Sequence, residues 1–236
     1  MAGKQVQKDG CLYIQFARAP QAGRVKTRMQ PYLGPVEACE LHCELLAYSA
    51  MQLQRLSASP RELWIAGDPA HPWLSRIAAH YGMGLCPQRG SDLGERMLHA
   101  LRDGLSRYRR VVLVGSDCPG LDPDYLEEAA LRLRHHDMVW GPAVDGGYVL
   151  VGARRAHAAC FRDIDWGRAA VMAQTLARAR EGAVSHALLP VREDIDRPGD
   201  LPLWLSIRGR QAVAEPGSAD TQGLLAQGLR LCAGGD

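Results

Sequence analysis

The sequence lacks the features that define several large classes of protein. Its seven cysteines include no C-x-x-C pair, which argues against a zinc ribbon and against a disulfide framework. No apolar run is long enough to cross a bilayer, and the first ten residues, MAGKQVQKDG, contain no apolar segment typical of a signal peptide. The net charge of +2 gives no overall attraction to nucleic acid or to anionic membranes. We therefore expect a cytoplasmic protein with no nucleic-acid partner and no membrane insertion.

Three common motifs of nucleotide-binding proteins and hydrolases are also missing. The P-loop needs a glycine directly before its lysine, but two residues separate Gly23 from Lys26. The dinucleotide fingerprint G-x-G-x-x-G is absent, which disfavours a nicotinamide dehydrogenase. There is no G-x-S-x-G element, and the eight histidines form no local motif with a nucleophile. Any nucleotide site must therefore be built in another way.

What the chain does contain is an alternation of strand-like and helix-like segments. The continuous β-branched run VVLV within Arg110–Val114 is typical of a parallel strand covered on both faces. The segment before it, Gly94–Tyr108, repeats apolar residues at helical spacing. Because strands and helices alternate in this way along most of the chain, we predict one three-layer αβα domain with a mainly parallel central sheet. We expect this domain to span residues 1–210 and residues 211–236 to form a peripheral tail.

The first predicted strand, Cys11–Ala17, leads into a strongly basic segment. Phe16–Met29, FARAPQAGRVKTRM, contains no acid and has four cationic side chains: Arg18, Arg24, Lys26 and Arg28. Ligands bind at the carboxyl ends of the strands in a parallel sheet, and cationic side chains and loop N–H groups bind phosphates. The alternative is a solvated basic turn, but such a concentration of positive charge favours a phosphate site.

Acidic residues follow later strands at the same predicted edge of the sheet. Asp117, in GSDCP, comes just after the VVLV strand and too early to cap the next helix. Carboxylate oxygens are the ligands that Mg²⁺ or Mn²⁺ prefers, so Asp117 is a candidate metal or ligand contact, with a turn-forming aspartate as the alternative. Asp194 and Asp196, in REDIDRPGDL, are further candidates, but Asp196 is also placed to cap the last helix.

Two other motifs can each be interpreted as a structural element or as part of a functional site. In GPAVDGGYVLVG, the Asp145-Gly146 pair indicates either an ordinary hairpin turn or backbone that a ligand approaches closely. In QRGSDLGERM, Ser91 or Asp92 is placed to cap a helix, and the same loop could instead seat a base or a sugar.

Together, the basic loop after the first strand and GSDCP, DLGERM, GPAVDGGYVLVG, DIDWG and DIDRPGDL resemble an uncharacterised bacterial family of glycosyltransferase-like proteins. The resemblance extends from about Leu12 to Leu205. It implies the GT-A fold, the Rossmann-like architecture of nucleotide-diphospho-sugar transferases. The wider relatives are the 2-phospholactate guanylyltransferases, which have a similar KTR loop, and the molybdenum-cofactor nucleotidyltransferases.

The resemblance also implies a role for each matching residue. The phosphates of a nucleotide would lie against Arg18, Gly23, Lys26 and Arg28, and its base and ribose near Leu93, Gly94 and Arg96. The metal, Mg²⁺ or Mn²⁺, would be held by Asp117 and Asp196. The catalytic residues would be Lys26, Asp117 and Asp145. The acceptor side would be bordered by Asp145, Gly146, Gly147, Tyr148, Trp166 and Gly167.

Two departures from the relatives leave the reaction open. Their loop usually carries paired glycines where this chain has only Gly23, and their D-x-D motif is reduced to Ser116-Asp117-Cys118. The implied activity is a metal-dependent, nucleotide-using transferase. It would be either a nucleotidyltransferase acting on a nucleoside triphosphate and a phosphorylated acceptor, or a glycosyltransferase using a nucleotide sugar and a small-molecule acceptor. A non-catalytic nucleotide-binding module is the alternative, ranked lower because Asp117, Asp145 and Asp196 are all present.

Overall fold

Strands and helices alternate in the folded chain as the sequence predicts. The structure is a computed structural model that describes residues 8–30, 32–56, 58–68 and 70–214, together with residues 226 and 228. Within these residues the strands and α-helices are β1 (Lys8–Arg18), α1 (Pro35–Gln54), β2 (Arg61–Ala66), α2 (Pro72–His80), β3 (Gly84–Pro87), α3 (Leu93–Arg107), β4 (Tyr108–Val114), α4 (Pro123–Arg132), β5 (Met138–Pro142), β6 (Tyr148–Ala153), α5 (Val171–Glu181), β7 (His186–Leu188) and α6 (Leu201–Ala214). Short 3-10 helices occur at Thr27–Met29, Ala158–Phe161 and Pro198–Asp200.

The strands form a single sheet in the order β3-β2-β1-β4-β6-β5-β7. Only β6 runs antiparallel to its neighbours, β4 and β5, while the other neighbouring pairs are parallel. The prediction of a mainly parallel sheet is therefore confirmed. Because β1, β2 and β4 are parallel, their carboxyl ends meet at one edge of the sheet, where the predicted site residues lie.

Helices cover both faces of the sheet, as the VVLV run in β4 predicts. Val112 and Val114 pack into a core shared with α1, α2 and α4. Val111 and Leu113 point the other way, into a core shared with α3 and α5. All four side chains are buried, and full burial of such a side chain contributes about 1.5–3 kcal/mol. The arrangement is the three-layer αβα fold that the sequence predicts.

Capping residues set where two helices begin at the carboxyl edge of the sheet. Asp122 accepts a hydrogen bond from the Tyr125 N–H at 2.9 Å at the start of α4. Asp92 accepts one from the Glu95 N–H at 2.8 Å at the start of α3, and the Glu95 carboxylate accepts one from the Ser91 N–H at 2.8 Å. Both predicted caps are confirmed, and each such cap is worth about 1 kcal/mol.

Helix α6 packs against α1. Helix α6 continues to Ala214, past residue 210, and Trp204 of α6 is buried beside Leu41 and Leu45 of α1. Most of the predicted tail, 211–236, lies outside the described residues. Gly228, which is described, is buried so closely against the Trp73 indole that a Cβ there would lie 2.8 Å from Nε1. The division into a domain and a tail stays a prediction.

One cysteine forms a disulfide bond, although the cysteine pattern in the sequence argued against a disulfide framework. Cys39 is disulfide-bonded, whereas Cys11, Cys43, Cys86, Cys118 and Cys160 are free. Scattered cysteines carry no spacing signal, so the sequence did not predict this bond. Across the part of the chain that the structure describes, every helix is too short or too polar to span a bilayer.

Candidate functional site

The basic segment after β1 folds back so that Lys26 points into the protein. Lys26 is only 8% exposed. Its Nζ lies 3.0 Å from Asp117 Oδ2 and donates a hydrogen bond to the Ile195 carbonyl. Lysine is almost never buried unless its charge is paired, and here both partners satisfy the ammonium. The backbone of Lys26 is left-handed, with φ 48°, a conformation that costs on the order of 1–3 kcal/mol in a non-glycine residue.

Asp117 follows β4 and is the acid that faces this lysine. Its Oδ2 carries the ion pair with Lys26, and its backbone carbonyl accepts a hydrogen bond from the Ile195 N–H at 2.9 Å. Its Oδ1 is buried and, among the described residues, has no hydrogen-bond partner. A buried carboxylate oxygen without a partner is costly, and a bound cation would satisfy it.

A second ion pair, between Arg28 and Asp196, lies in the same region. Arg28 Nη1 is 2.6 Å from Asp196 Oδ2, and both side chains are partly exposed. Hydrogen bonding to Asp196 raises the pKa of Arg28, with further contributions from the charges of Asp196, Asp145 and Asp194. Asp196 is therefore engaged by a cation and does not cap the last helix. Asp200 instead accepts hydrogen bonds from the backbone N–H groups of residues 196 and 197 at 2.9 and 2.7 Å, which stabilises the start of the 3-10 helix Pro198–Asp200 that precedes α6.

Four carboxylates and two cations make up what we call the carboxyl-end cluster: Lys26, Arg28, Asp117, Asp145, Asp194 and Asp196. Burial, together with the smaller effects of the charges of Asp145, Asp196 and Asp117, raises the pKa of Asp194 to about 6. These carboxylates are thus close enough to repel one another. A divalent cation bound among them would relieve this repulsion.

The residues present fit a Mg²⁺ or Mn²⁺ ion held together with a ligand. Within the described chain, no three His, Cys, Asp or Glu side chains converge as a complete metal-binding set. Mg²⁺ is usually held by one or two carboxylates plus waters and substrate phosphates, and it needs no such set. The unpartnered Oδ1 of Asp117 and the neighbouring carboxylate of Asp196 meet that requirement.

Buried polar contacts hold the ends of β1 and β4 together beneath the cluster. The Ser116 hydroxyl donates to the Phe16 carbonyl at 2.7 Å, and Gln15 Nε2 donates to Ser116 Oγ at 3.1 Å. His42 Nε2 lies 3.0 Å from the Arg18 carbonyl, and burial lowers the pKa of His42, although the charge of Asp117 opposes this. None of these supporting contacts was predicted from the sequence. The signal for Gln15 was its place as the one polar residue in the apolar run CLYIQFA.

The remaining cations of the basic segment stay at the surface. Arg18 and Arg24 are exposed, and Arg18 Nη1 approaches the Arg24 carbonyl at 3.5 Å. Gly23, with φ 79°, allows the turn between them. Their guanidinium groups are thus available to a ligand, whereas Lys26 is held inside.

Gly94, which was assigned to the base and ribose of the nucleotide, packs directly against Trp166, which was assigned to the acceptor side. A Cβ on Gly94 would lie 2.5 Å from Cζ2 of Trp166, and the Trp166 ring meets the Tyr148 ring edge-on with centroids 6.2 Å apart. Leu93 is exposed at the start of α3. Arg96 donates from Nε to the Gly90 carbonyl at 3.0 Å and so braces the loop before α3.

The Asp145–Gly147 turn is a hairpin, as the structural interpretation of this motif predicted. It joins the antiparallel strands β5 and β6, and the Gly147 N–H donates to Asp145 Oδ1 at 2.9 Å. Gly146 has φ 89°, and a Cβ there would lie 2.1 Å from the Ala169 carbonyl oxygen. Gly146 thus serves close backbone packing. Gly167 also has positive φ, at 81°.

Comparisons with known proteins agree with this fold. Residues 49–168 match the model of a family described as "Uncharacterized protein conserved in bacteria (DUF2064)". No curated protein matched the sequence. A candidate nucleotide-diphospho-sugar transferase of solved structure, from Desulfovibrio desulfuricans G20, is 29% identical over 95% of this chain and 97% of its own, with a TM-score of 0.77.

Two further solved structures are similar at lower identity. The inositol-1-phosphate CTP transferase of T. maritima is 13% identical over 95% of this chain and 98% of its own, with a TM-score of 0.55. A CMP:2-keto-3-deoxy-manno-octonic acid synthetase in complex with CTP is 11% identical over 86% of this chain and 99% of its own, with a TM-score of 0.52. At these identities the two structures show the fold alone.

Proposed function

The chain belongs to the family of uncharacterised bacterial proteins DUF2064, and we propose that it is a metal-dependent, nucleotide-using transferase. The observation that carries the proposal is the ion pair of 3.0 Å between Lys26 and Asp117 at the carboxyl ends of β1 and β4. It joins the buried cation of the basic segment to an acid that has one unpartnered oxygen. The similarity to a candidate nucleotide-diphospho-sugar transferase supports the same class of ligand.

In this proposal the phosphates of the nucleotide lie between the basic segment and the acids of the carboxyl-end cluster. Arg18 and Arg24, exposed beside the site, bind phosphate oxygens through their guanidinium groups. Lys26 supplies a fixed positive charge from within. Asp117 and Asp196 would hold the Mg²⁺ or Mn²⁺ ion, whose chemistry is to neutralise charge on the phosphate oxygens.

The first candidate reaction is nucleotidyl transfer. An oxygen of the acceptor phosphate forms a bond to the α-phosphorus of a nucleoside triphosphate, the bond to the bridging oxygen breaks, and pyrophosphate leaves. Such a reaction depends on positioning and on cations placed where charge develops. Lys26, held by Asp117 and by the Ile195 carbonyl, is a preorganised cation of this kind.

The second candidate reaction is glycosyl transfer from a nucleotide sugar, favoured by the similarity at 29% identity to the candidate nucleotide-diphospho-sugar transferase. An acceptor hydroxyl forms a bond to the anomeric carbon, and the nucleoside diphosphate leaves. A carboxylate must accept the hydroxyl proton. Asp145, the exposed carboxylate of the carboxyl-end cluster, is the candidate base.

Asp117→Asn separates an enzyme from a non-catalytic nucleotide-binding module. In an enzyme we expect turnover to fall by about a hundredfold or more, as when one preorganised stabilising group is removed. In a binding module only a modest loss of affinity would follow. Asp124→Asn, at an exposed position in the first turn of α4, is the matched control and should leave turnover unchanged.

A thermal-shift panel identifies the ligand. Nucleoside triphosphates and nucleotide sugars are tested with and without Mn²⁺, because a ligand that binds only the folded state raises the melting temperature. A shift with a triphosphate, followed by pyrophosphate release in the presence of acceptors, supports nucleotidyl transfer. A shift with a nucleotide sugar, followed by release of a nucleoside diphosphate, supports glycosyl transfer. Absence of any Mn²⁺-dependent shift across the panel would contradict the proposal.

A further inference from the structure

A second charged surface lies at the amino ends of β1 and β4. A cavity of about 670 Å³ there, which we call the arginine groove, is lined mainly by Asp9, Arg109, Arg110, Arg134, Arg154 and Arg155. Arg110 of the groove is separated from Asp117 by the last four residues of β4, Val111–Val114, and by Gly115 and Ser116, which in extended chain span roughly 20 Å. The groove is therefore distinct from the carboxyl-end cluster.

Asp137 organises one wall of the groove. Arg154 donates from Nε to Asp137 Oδ1 at 2.9 Å and from Nη1 to the Arg134 carbonyl at 3.0 Å. The Arg154 N–H also donates to the Asp137 carbonyl at 2.9 Å. Burial acts to raise the pKa of Asp137, but hydrogen bonds from Arg154 and His157 and the charges of Arg154 and Arg155 outweigh it and lower the pKa. Asp137 is therefore an anion at neutral pH, and the loops that carry these arginines are fixed to each other.

Positive charge nevertheless exceeds negative charge in the groove. Arg155 is 74% exposed and lies 3.8 Å from Asp137, whose carboxylate already serves Arg154. Among the described residues, no side-chain hydrogen bond or ion pair engages the guanidinium group of Arg109 or Arg134. Five arginines thus line the groove with one acid, Asp9, while Asp137 is hydrogen-bonded to one of the arginines. Because neighbouring like charges repel one another, a bound anion would stabilise this arrangement.

The chemistry of the lining selects the kind of anion. The guanidinium fork binds phosphate oxygens in pairs, and the volume of the groove is within the range of small-ligand sites. No aromatic side chain is among the described residues that line it, so nothing there would stack on a base. We propose that the arginine groove binds a compact oligophosphate, either free pyrophosphate or the phosphate tail of a nucleotide, without a metal ion.

Calorimetric titration of the full chain with inorganic pyrophosphate in EDTA tests the proposal. We expect saturable one-to-one binding that persists in Lys26→Met, because the site is remote from Lys26. The double variant Arg109→Gln/Arg134→Gln should bind about tenfold more weakly or worse, since two charge-assisted contacts are removed. The charge-matched double variant Arg76→Gln/Arg180→Gln, on α2 and α5, should bind like the unmodified protein.

Two further measurements identify the source of the phosphate and control for misfolding of the variant. Equal affinity for pyrophosphate and a nucleoside diphosphate indicates a free anion, whereas tighter binding of the nucleoside diphosphate indicates a nucleotide tail. Arg155→Gln, at an exposed position, replaces the double variant if circular dichroism shows that the latter is unfolded. Unchanged pyrophosphate binding in the groove variants, or tighter binding of a short DNA duplex than of pyrophosphate, would overturn the proposal.

Discussion

The two ends of the sheet use charge in opposite ways. At the carboxyl end, each cation of the cluster has an acid of its own: Lys26 pairs with Asp117, and Arg28 pairs with Asp196. At the amino end, Asp137 alone is shared by Arg154, Arg155 and His157. A cluster in which acids outnumber cations needs a metal ion before it can hold phosphates, whereas an arginine-rich groove does not. The comparison predicts that only the carboxyl end depends on a divalent ion.

Removal of divalent ions should have the largest effect of the changes considered. It should abolish function at the carboxyl end of the sheet and leave ligand binding at the amino end unchanged. With EDTA we expect loss of measurable turnover and of the nucleotide-induced thermal shift, because the carboxylates then repel the phosphates. Pyrophosphate binding in the arginine groove should be unchanged under the same conditions. Equal sensitivity of both binding events to EDTA would remove the distinction between the two ends.

Lys26→Met tests the buried cation of the carboxyl end. We expect turnover to fall by about a hundred- to a thousandfold, because a preorganised stabilising charge is lost. Steady-state kinetics with the nucleotide found in the thermal-shift panel measures this change. Arg180→Met is the matched control, since it removes an exposed cation on α5, outside the carboxyl-end cluster and the basic segment, and it should leave turnover unchanged. Similar losses in both variants would show that Lys26 has no special role.

Gly146→Ala tests the packing that supports the same end. The new Cβ would lie 2.1 Å from a backbone oxygen at a position with φ 89°, so we expect a loss of about 3 kcal/mol in the free energy of unfolding. The melting temperature should then fall by roughly 6–12 °C. At Gly147 the nearest atom to a new Cβ is the flexible Asp145 side chain at 3.1 Å. Gly147→Ala should therefore change little, and equal effects at the two glycines would contradict the packing argument.

Asp137→Asn tests the acid that organises the amino end. We expect a loss of about 1.5–3 kcal/mol in the free energy of unfolding at pH 7, typical of hydrogen bonds to a charged group. Because the pKa of Asp137 is lower in the folded state than in the unfolded state, its contribution is present above the unfolded pKa of about 3.9 and is lost as the pH falls through the folded pKa.

Denaturant titrations from pH 7 to acid pH measure this contribution. The difference in stability between the unmodified protein and Asp137→Asn should narrow once the pH is below about 4. A difference that stays constant down to acid pH would show that the carboxylate charge of Asp137 contributes nothing. Asp124→Asn, at an exposed position, should show no such narrowing.

The smallest effect on the free energy of unfolding is expected from the Arg28–Asp196 ion pair. Both side chains are partly exposed, and exposed ion pairs contribute about 0–1 kcal/mol. A double-mutant cycle of Arg28→Gln and Asp196→Asn should therefore give a coupling energy in folding below about 1 kcal/mol. A much larger coupling would mean that this pair, rather than Lys26 and Asp117, anchors the carboxyl-end cluster.

Much of the fold could be predicted from local sequence patterns. The VVLV run indicated a strand buried on both faces, and Asp92 and Asp122 indicated helix starts, because these signals depend on neighbouring residues only. The position of β6 between β4 and β5 could not be predicted, since pairing partners are set by long-range packing. Asp196 was placed to cap the last helix, and its contact with Arg28 could not be predicted because Arg28 lies far from it in the sequence.

The candidate site was predictable only in part, for a related reason. The meeting of Lys26 and Asp117 follows from two parallel strands whose carboxyl ends lie side by side. The left-handed backbone of Lys26 and its contact with the Ile195 carbonyl do not follow, because they depend on a loop more than a hundred residues later in the chain. The arginine groove was missed because its arginines come from separate segments and match no motif.

Anomalous diffraction from crystals grown with Mn²⁺ and the nucleotide selected by thermal shift tests the proposed site most directly. We predict a manganese peak within coordination distance of Asp117 Oδ1, with the phosphates of the nucleotide lying against Arg18 and Arg24, the exposed arginines of the loop that carries Lys26. A nucleotide bound elsewhere, or a manganese ion with no contact to Asp117, would contradict the proposal that this end of the sheet is the active site.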